Sequence, residues 1–214
     1  MQIAVLLYDR VTALDAIGPY EVLSGLPGAT VVFTAAAAGP VRASTGMLSL
    51  VAEASLDEVT HPDIVVVPGG PDRATGPLLG GGPALDWLRA VDEHSSWTTS
   101  VCTGSLILAA AGLLAGRRAT SHWLALDRLP DFGVEPTGQR VVLDGKYLTG
   151  AGVSAGIDMA LDLAGRIAGQ ETAQAIQLMI EYDPQPPYSA GSPDKAPADI
   201  VARMRQGRLS PAAS

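Results

Sequence analysis

Trp97-Thr98-Thr99-Ser100-Val101-Cys102-Thr103-Gly104 is the stretch on which the fold turns. Five residues dominated by β-branched and aromatic side chains run straight into a cysteine, a threonine and a glycine, and the apolar residues 106–114 behind them have helical character. A strand that feeds a helix through so short a turn is half of a strand–helix–strand unit, the building block of parallel sheets. The pattern is a variant of the nucleophile elbow, G-x-Nuc-x-G, with Ser100 in place of the first glycine. An elbow sets the thiol of Cys102 at a helix amino terminus, where unpaired N–H groups and the positive dipole end favour thiolate. It also aims the Thr103 amide where negative charge would grow after attack. The competing reading is inert filler, because free cysteine is among the most buried residue types and behaves as a small hydrophobe.

Moving outward, Ile3-Ala4-Val5-Leu6-Leu7 and Ile64-Val65-Val66-Val67 are short continuous apolar runs. Such runs belong to strands buried on both faces of a parallel sheet. Helical patterns follow at residues 12–23, 84–91 and 106–114, which predicts a doubly wound α/β fold with a mostly parallel sheet flanked by helices. Residues 31–36 add a strand, and 48–51 are expected to pair at an edge. Val141-Val142-Leu143 and Tyr147-Leu148-Thr149 read as a hairpin through Asp144-Gly145. Two helices, at 154–167 and 171–180, close the fold. One domain is expected over 1–190. From Asp183 onward six of the 16 prolines fall in 32 residues, so 191–214 is expected as an extended Pro-rich tail, ordered only by docking.

Composition removes several functions. The chain has 214 residues, 47% apolar and only 17% charged, enough to bury a sizeable core. With 14 basic against 22 acidic residues the net charge is −8, which argues against a broad phosphate-binding face and so against nucleic acid as a partner. Small molecules fit better. A single cysteine excludes a disulfide framework and any cysteine-clustered zinc or iron–sulfur site. The amino terminus lacks a basic region, and the longest aliphatic stretch, 106–116, is far short of the roughly 18 residues of a membrane span. A cytoplasmic protein without a membrane partner is the expectation.

Two further loops belong to the carboxyl edge of the sheet, where open α/β folds bind ligands. Pro68-Gly69-Gly70-Pro71 could present Gly70 as an oxyanion donor or form a plain turn. Asp15, just past the first strand, could cap the following helix with Thr12 or carry protons to a reacting group. Of the three histidines, His61 and His94 read as surface. His122, in Ala119-Thr120-Ser121-His122-Trp123, is a candidate partner for a thiolate or a structural imidazole beside Trp123. Gly150-Ala151-Gly152-Val153-Ser154-Ala155-Gly156 mimics a dinucleotide fingerprint, but its acid, Glu171, falls in a helical stretch instead of at a second parallel strand's end. The lack of a His-x-Glu partner for the thiol argues against a glutamine amidotransferase.

Taken together these residues identify a resemblance. The stretches Val5-Leu6-Leu7-Tyr8-Asp9, Leu14-Asp15-Ala16-Ile17-Gly18-Pro19, Val67-Pro68-Gly69-Gly70, Ser100-Val101-Cys102-Thr103-Gly104, Ala119-Thr120-Ser121-His122-Trp123 and Gly152-Val153-Ser154-Ala155-Gly156-Ile157-Asp158 resemble the ThiJ/PfpI superfamily over about residues 2–190. Aspartate at position 15, where the deglycases generally carry glutamate, and the Cys102-Thr103 pair look most like its isonitrile-hydrating branch. The resemblance implies a flavodoxin-like fold and a homodimer. It also implies cofactor-independent hydration of isonitriles to N-substituted formamides, with Cys102 as nucleophile, Asp15 as proton carrier, and Thr103 and Gly70 as stabilisers. A thiol hydrolase or deglycase of the same superfamily, and a non-catalytic ligand-binding or redox-sensing domain akin to the amino-terminal domains of AraC-type regulators, are the alternatives.

Overall fold

The computed structural model describes residues 1–207. It separates into one compact unit, Met1–Ile180, and a second that begins at Glu181. In the first, chain order runs β1 (Gln2–Leu6), α1 (Ala13–Leu23), β2 (Thr30–Ala35), β3 (Gly39–Arg42), β4 (Ser49–Ala52), β5 (Ala54–Ser55) and β6 (Ile64–Val67). There follow α2 (Asp72–Leu79), α3 (Pro83–Asp92), β7 (Trp97–Val101), α4 (Gly104–Ala110), β8 (Arg118–Ala119) and β9 (Glu135–Pro136). The unit closes with β10 (Val141–Asp144), β11 (Tyr147–Gly150), α5 (Ala155–Ala168) and α6 (Gln170–Met179).

Seven strands form the central sheet in the order β10-β11-β7-β6-β1-β2-β5, parallel throughout except for the β10–β11 hairpin. The apolar runs explain the centre: every residue of β6, and β1 from Ile3 on, is buried, as strands covered on both faces must be. Helices α1, α5 and α6 pack together, and α2 and α3 pack with α4. The strand order reverses between β1 and β6, because β1 continues to β2 on one side and to β6 on the other. At such a switch point the loops leaving neighbouring strands splay apart and open a crevice at the carboxyl edge. The loops after β1, β6, β7 and β11 all emerge there.

Four elements differ from expectation. Residues 48–51 do not join the sheet: Ser49–Ala52 pairs with Gly39–Arg42 as a separate antiparallel ribbon, and Ala54–Ser55 forms the edge instead. Alternation of apolar and polar residues marks a strand but does not name its partner, and here local reversal at Gly46 (φ +76°) supplies a nearer one. Helix α4 is shorter than read, because Gly112 (φ +84°) takes a left-handed conformation that helices cannot continue through. Helix α2 carries no clear helical pattern in sequence, because Gly76 and Pro77 interrupt it. In the second unit α7 (Ala198–Arg205) occupies part of the tail expected to be extended. Pro197 precedes it where proline is tolerated, and an Asp199–Arg203 pair at 3.0 Å ties successive turns together. Residues 208–214 of that tail lie outside the described residues.

Candidate active site

Cys102 leaves β7 with φ +60°, a left-handed conformation that costs a non-glycine residue energy and persists only where surroundings over-determine it. Four hydrogen bonds do so. Its N–H donates to the carbonyls of Gly150 (3.0 Å) and Ala151 (2.7 Å), and its carbonyl accepts from the Ser105 and Ser121 hydroxyls, each at 3.1 Å. Beyond it the chain passes so close to β6 that a Cβ on Gly104 would lie 2.0 Å from the Val67 carbonyl oxygen. Only glycine fits there, which is why the last glycine of the elbow motif is obligatory.

The thiol is 6% exposed and receives the backbone N–H groups of Thr103 and Val153, which favour its ionised form. Burial and the Asp15 carboxylate outweigh them and push the thiol up to about 12. The elbow therefore does not deliver the preformed thiolate that its helix terminus suggested. Desolvation decides the balance, and desolvation is a property of the assembled core.

Asp15 sits in the first turn of α1 with 0% exposure. Its Oδ2 accepts the Gly69 N–H at 3.0 Å, while Oδ1 is buried without a hydrogen-bond partner. Burial raises the carboxyl to about 7, against the opposing pull of the Gly69 amide and the thiol. The capping reading falls away, because the Thr12 side chain makes no cap hydrogen bond and the Asp15 carboxyl turns inward toward Gly69 and Cys102.

Thr103 and Gly70 hold each other. The Gly70 N–H donates to Thr103 Oγ1 at 2.8 Å, and the same hydroxyl donates to the Gly70 carbonyl at 2.7 Å. The Gly70 amide is thus spent on locking the β6 loop to the elbow, in place of the open donor expected. A Cβ on Gly69 would lie 2.5 Å from Thr103 N and 2.9 Å from Asp15 Oδ2, so three loops meet at the glycine pair. Tyr8 joins them from the end of β1, donating its buried hydroxyl to the Pro68 carbonyl at 2.9 Å.

The His122 ring lies against the loop after β11, where a Cβ on Gly152 would come within 2.9 Å of its Cδ2. Its Nδ1 accepts the Leu124 N–H at 3.3 Å, its ring centroid lies 5.9 Å from that of Trp123, and burial lowers its pKa toward the neutral form. The groups acting on the thiol are Asp15 and the Thr103 and Val153 amides, so the thiolate-pairing reading of His122 gives way to the structural one. His61 and His94 are exposed, as read, with ring centroids 4.6 Å apart. The Gly-rich stretch 150–156 that failed as a dinucleotide fingerprint supplies instead the Val153 amide to the sulfur.

Sequence reasoning missed Tyr8, Ser105, Ser121 and Val153. Tyr8 alone carried a signal, as the polar-tipped residue just past a buried strand on the edge that holds the nucleophile. A mostly apolar cavity of about 410 Å³ has Tyr8 in its wall, together with Leu7, Ala36, Val41, Leu56 and Leu78. Cys102, Asp15, Thr103 and Gly70 are not in its wall. Among the described residues no three His, Cys, Asp or Glu side chains converge as metal ligands, and no helix is long and apolar enough to cross a membrane.

Residues 1–166 match the DJ-1/PfpI family. The chain is 45% identical over 206 residues to the isonitrile hydratase of Pseudomonas putida, covering 96% of this chain and 89% of that one. It is 28% identical over 151 residues to a deglycase of Pyrococcus abyssi, 70% of this chain and 89% of the relative. A crystal structure of a ThiJ/PfpI family protein from Pseudomonas syringae superimposes with a TM-score of 0.92 at 40% identity, covering 96% of this chain and 84% of that one.

Proposed function

Because the chain belongs to the DJ-1/PfpI family, we propose that it is an enzyme of that family's thiol chemistry, and that the reaction is hydration of an isonitrile to its N-substituted formamide. The supporting observation is the buried coupling of Asp15 to Cys102: between about 7 and about 12 the two groups hold one proton between them. The 45% identity to an isonitrile hydratase supports isonitriles as the substrate class.

An isonitrile, R–N≡C, carries a lone pair on its terminal carbon, and that carbon must gain both a nucleophile and a proton. The resting pair supplies both. As sulfur attacks the carbon, the Asp15 carboxylate takes the thiol proton and delivers it to the carbon lone pair, while one C–N π pair moves to nitrogen. The product is a covalent thioimidate, R–N=CH–S–Cys102. The sulfur becomes anionic only at the moment of bond formation, held by the Thr103 and Val153 amides. Asp15, again a carboxylate, then takes a proton from water as its oxygen bonds to carbon, and the C=N π pair accepts that proton at nitrogen. Collapse of R–NH–CH(OH)–S–Cys102 forms the carbonyl, breaks the C–S bond and returns the hydroxyl proton through Asp15 to sulfur. The sum is R–N≡C + H₂O → R–NH–CHO, with no redox change.

Thr103 and Gly70 act by fixing the two loops, and the resemblance to the family adds a homodimer. Asp15→Asn tests the proton role: turnover falls by roughly 10²–10⁴, the usual worth of a general acid–base group, with alkylation of Cys102 still possible. Undiminished turnover in that variant would return Asp15 to a structural role. Turnover of glyoxal-type adducts with indifference to isonitriles would select the deglycase reading.

A further inference from the structure

Pro68 and Gly69 share one peptide group, and both of its polar ends are engaged inside the protein. Its carbonyl accepts the Tyr8 hydroxyl at 2.9 Å, and its N–H donates to Asp15 Oδ2 at 3.0 Å. We propose that Tyr8 is a positioning residue that acts on Asp15 through the Pro68–Gly69 peptide, its hydroxyl strengthening the N–H bond that holds the carboxylate.

The physical basis is cooperative polarisation. A donor at a peptide carbonyl draws electron density toward oxygen and leaves the N–H of the same peptide more positive, so the two hydrogen bonds reinforce one another. The surroundings keep the relay in line. Gly69's carbonyl accepts the Thr12 N–H at 2.9 Å, and Gly70 is held at both its N–H and carbonyl by Thr103, so the loop cannot rotate the peptide away. A Cβ on Gly70 would come within 3.3 Å of the Tyr8 hydroxyl, which places the phenol against the glycine pair. Burial, together with the Asp15 carboxylate and the Cys102 thiol, raises the phenol well above its ordinary value, so Tyr8 remains a donor at every working pH.

The titratable groups that act on Asp15 are the Cys102 thiol, from the elbow, and the Tyr8 phenol, from the end of β1. Neither gains charge below about pH 10, so a change in Asp15 on altering Tyr8 reports the relay itself. The catalytic meaning of the relay rests on the proposed function, whereas its existence does not.

The test is direct titration of Asp15 by NMR in full-length protein carrying ¹³C at aspartate carboxyls, with Asp15→Asn identifying the resonance. Tyr8→Phe keeps the ring and removes the hydroxyl. Asp15 is expected to titrate about 0.5–1 pH unit higher than in wild type, as the weakened N–H bond holds the carboxylate less well. Site-specific 3-fluorotyrosine at position 8, a somewhat stronger donor in the same place whose phenol burial keeps protonated through the Asp15 titration, should move it lower. Opposite shifts from the two variants are what a merely structural role does not give. Titration of Asp15 at the wild-type pH in both would overturn the proposal. An inactive protein in an isonitrile assay would leave this result standing, so the two claims fail separately.

Discussion

Cys102 and Asp15 are two buried acids that share a proton, and their pH behaviour follows from that. The carboxyl rises from an ordinary 3.8 to about 7, so between those values the native state binds more protons than the unfolded chain. Stability therefore falls as pH rises through this window and levels off above it. Asp15→Asn removes the titration, so its stability relative to wild type should climb from pH 4 to pH 8 in urea unfolding, and a flat difference would contradict the buried carboxyl. At this scale Cys102, Asp15 and Thr103 were legible in the sequence, because an elbow and a loop at one sheet edge announce themselves by residue type. The protonation of the thiol was not, since burial and a carboxylate from 87 positions away in sequence overrule the local helix terminus. Val153 was hidden for a related reason: it acts through its backbone amide, whose chemistry is the same at every residue.

At the scale of elements, the strand-to-helix turn is built on close approach. The Cβ of an alanine at 104 would sit 2.0 Å from the Val67 carbonyl oxygen, backbone that cannot yield without moving β6. Gly104→Ala should cost about 2–3 kcal/mol in chemical denaturation and lower turnover together with stability, because the same shift displaces Cys102. A substitution within 0.5 kcal/mol of wild type would show the elbow to be looser than described. The parallel strands were readable from continuous apolar runs, and the β10–β11 hairpin from Asp144-Gly145. What escaped were partners and ends: the β3–β4 ribbon, α2 behind its glycine and proline, and α7 in the Pro-rich tail. Propensity describes a segment by itself, while pairing depends on what lies beside it.

At the scale of the molecule, the reversal of strand order between β1 and β6 brings loops from distant parts of the sequence to one crevice. Charge and composition pointed to a small-molecule partner before any of those loops could be placed. The proposed homodimer is checked by sedimentation equilibrium, which should return twice 21.9 kDa, with a monomer mass contradicting it. The central claim is the covalent cycle through Cys102. Purified protein is incubated with a simple aryl or alkyl isonitrile and analysed by mass spectrometry for both the formamide and an adduct on the intact chain. The account predicts formamide and a thioimidate adduct on Cys102, both lost in a folded Cys102→Ala variant; formamide production undiminished in that variant would contradict it.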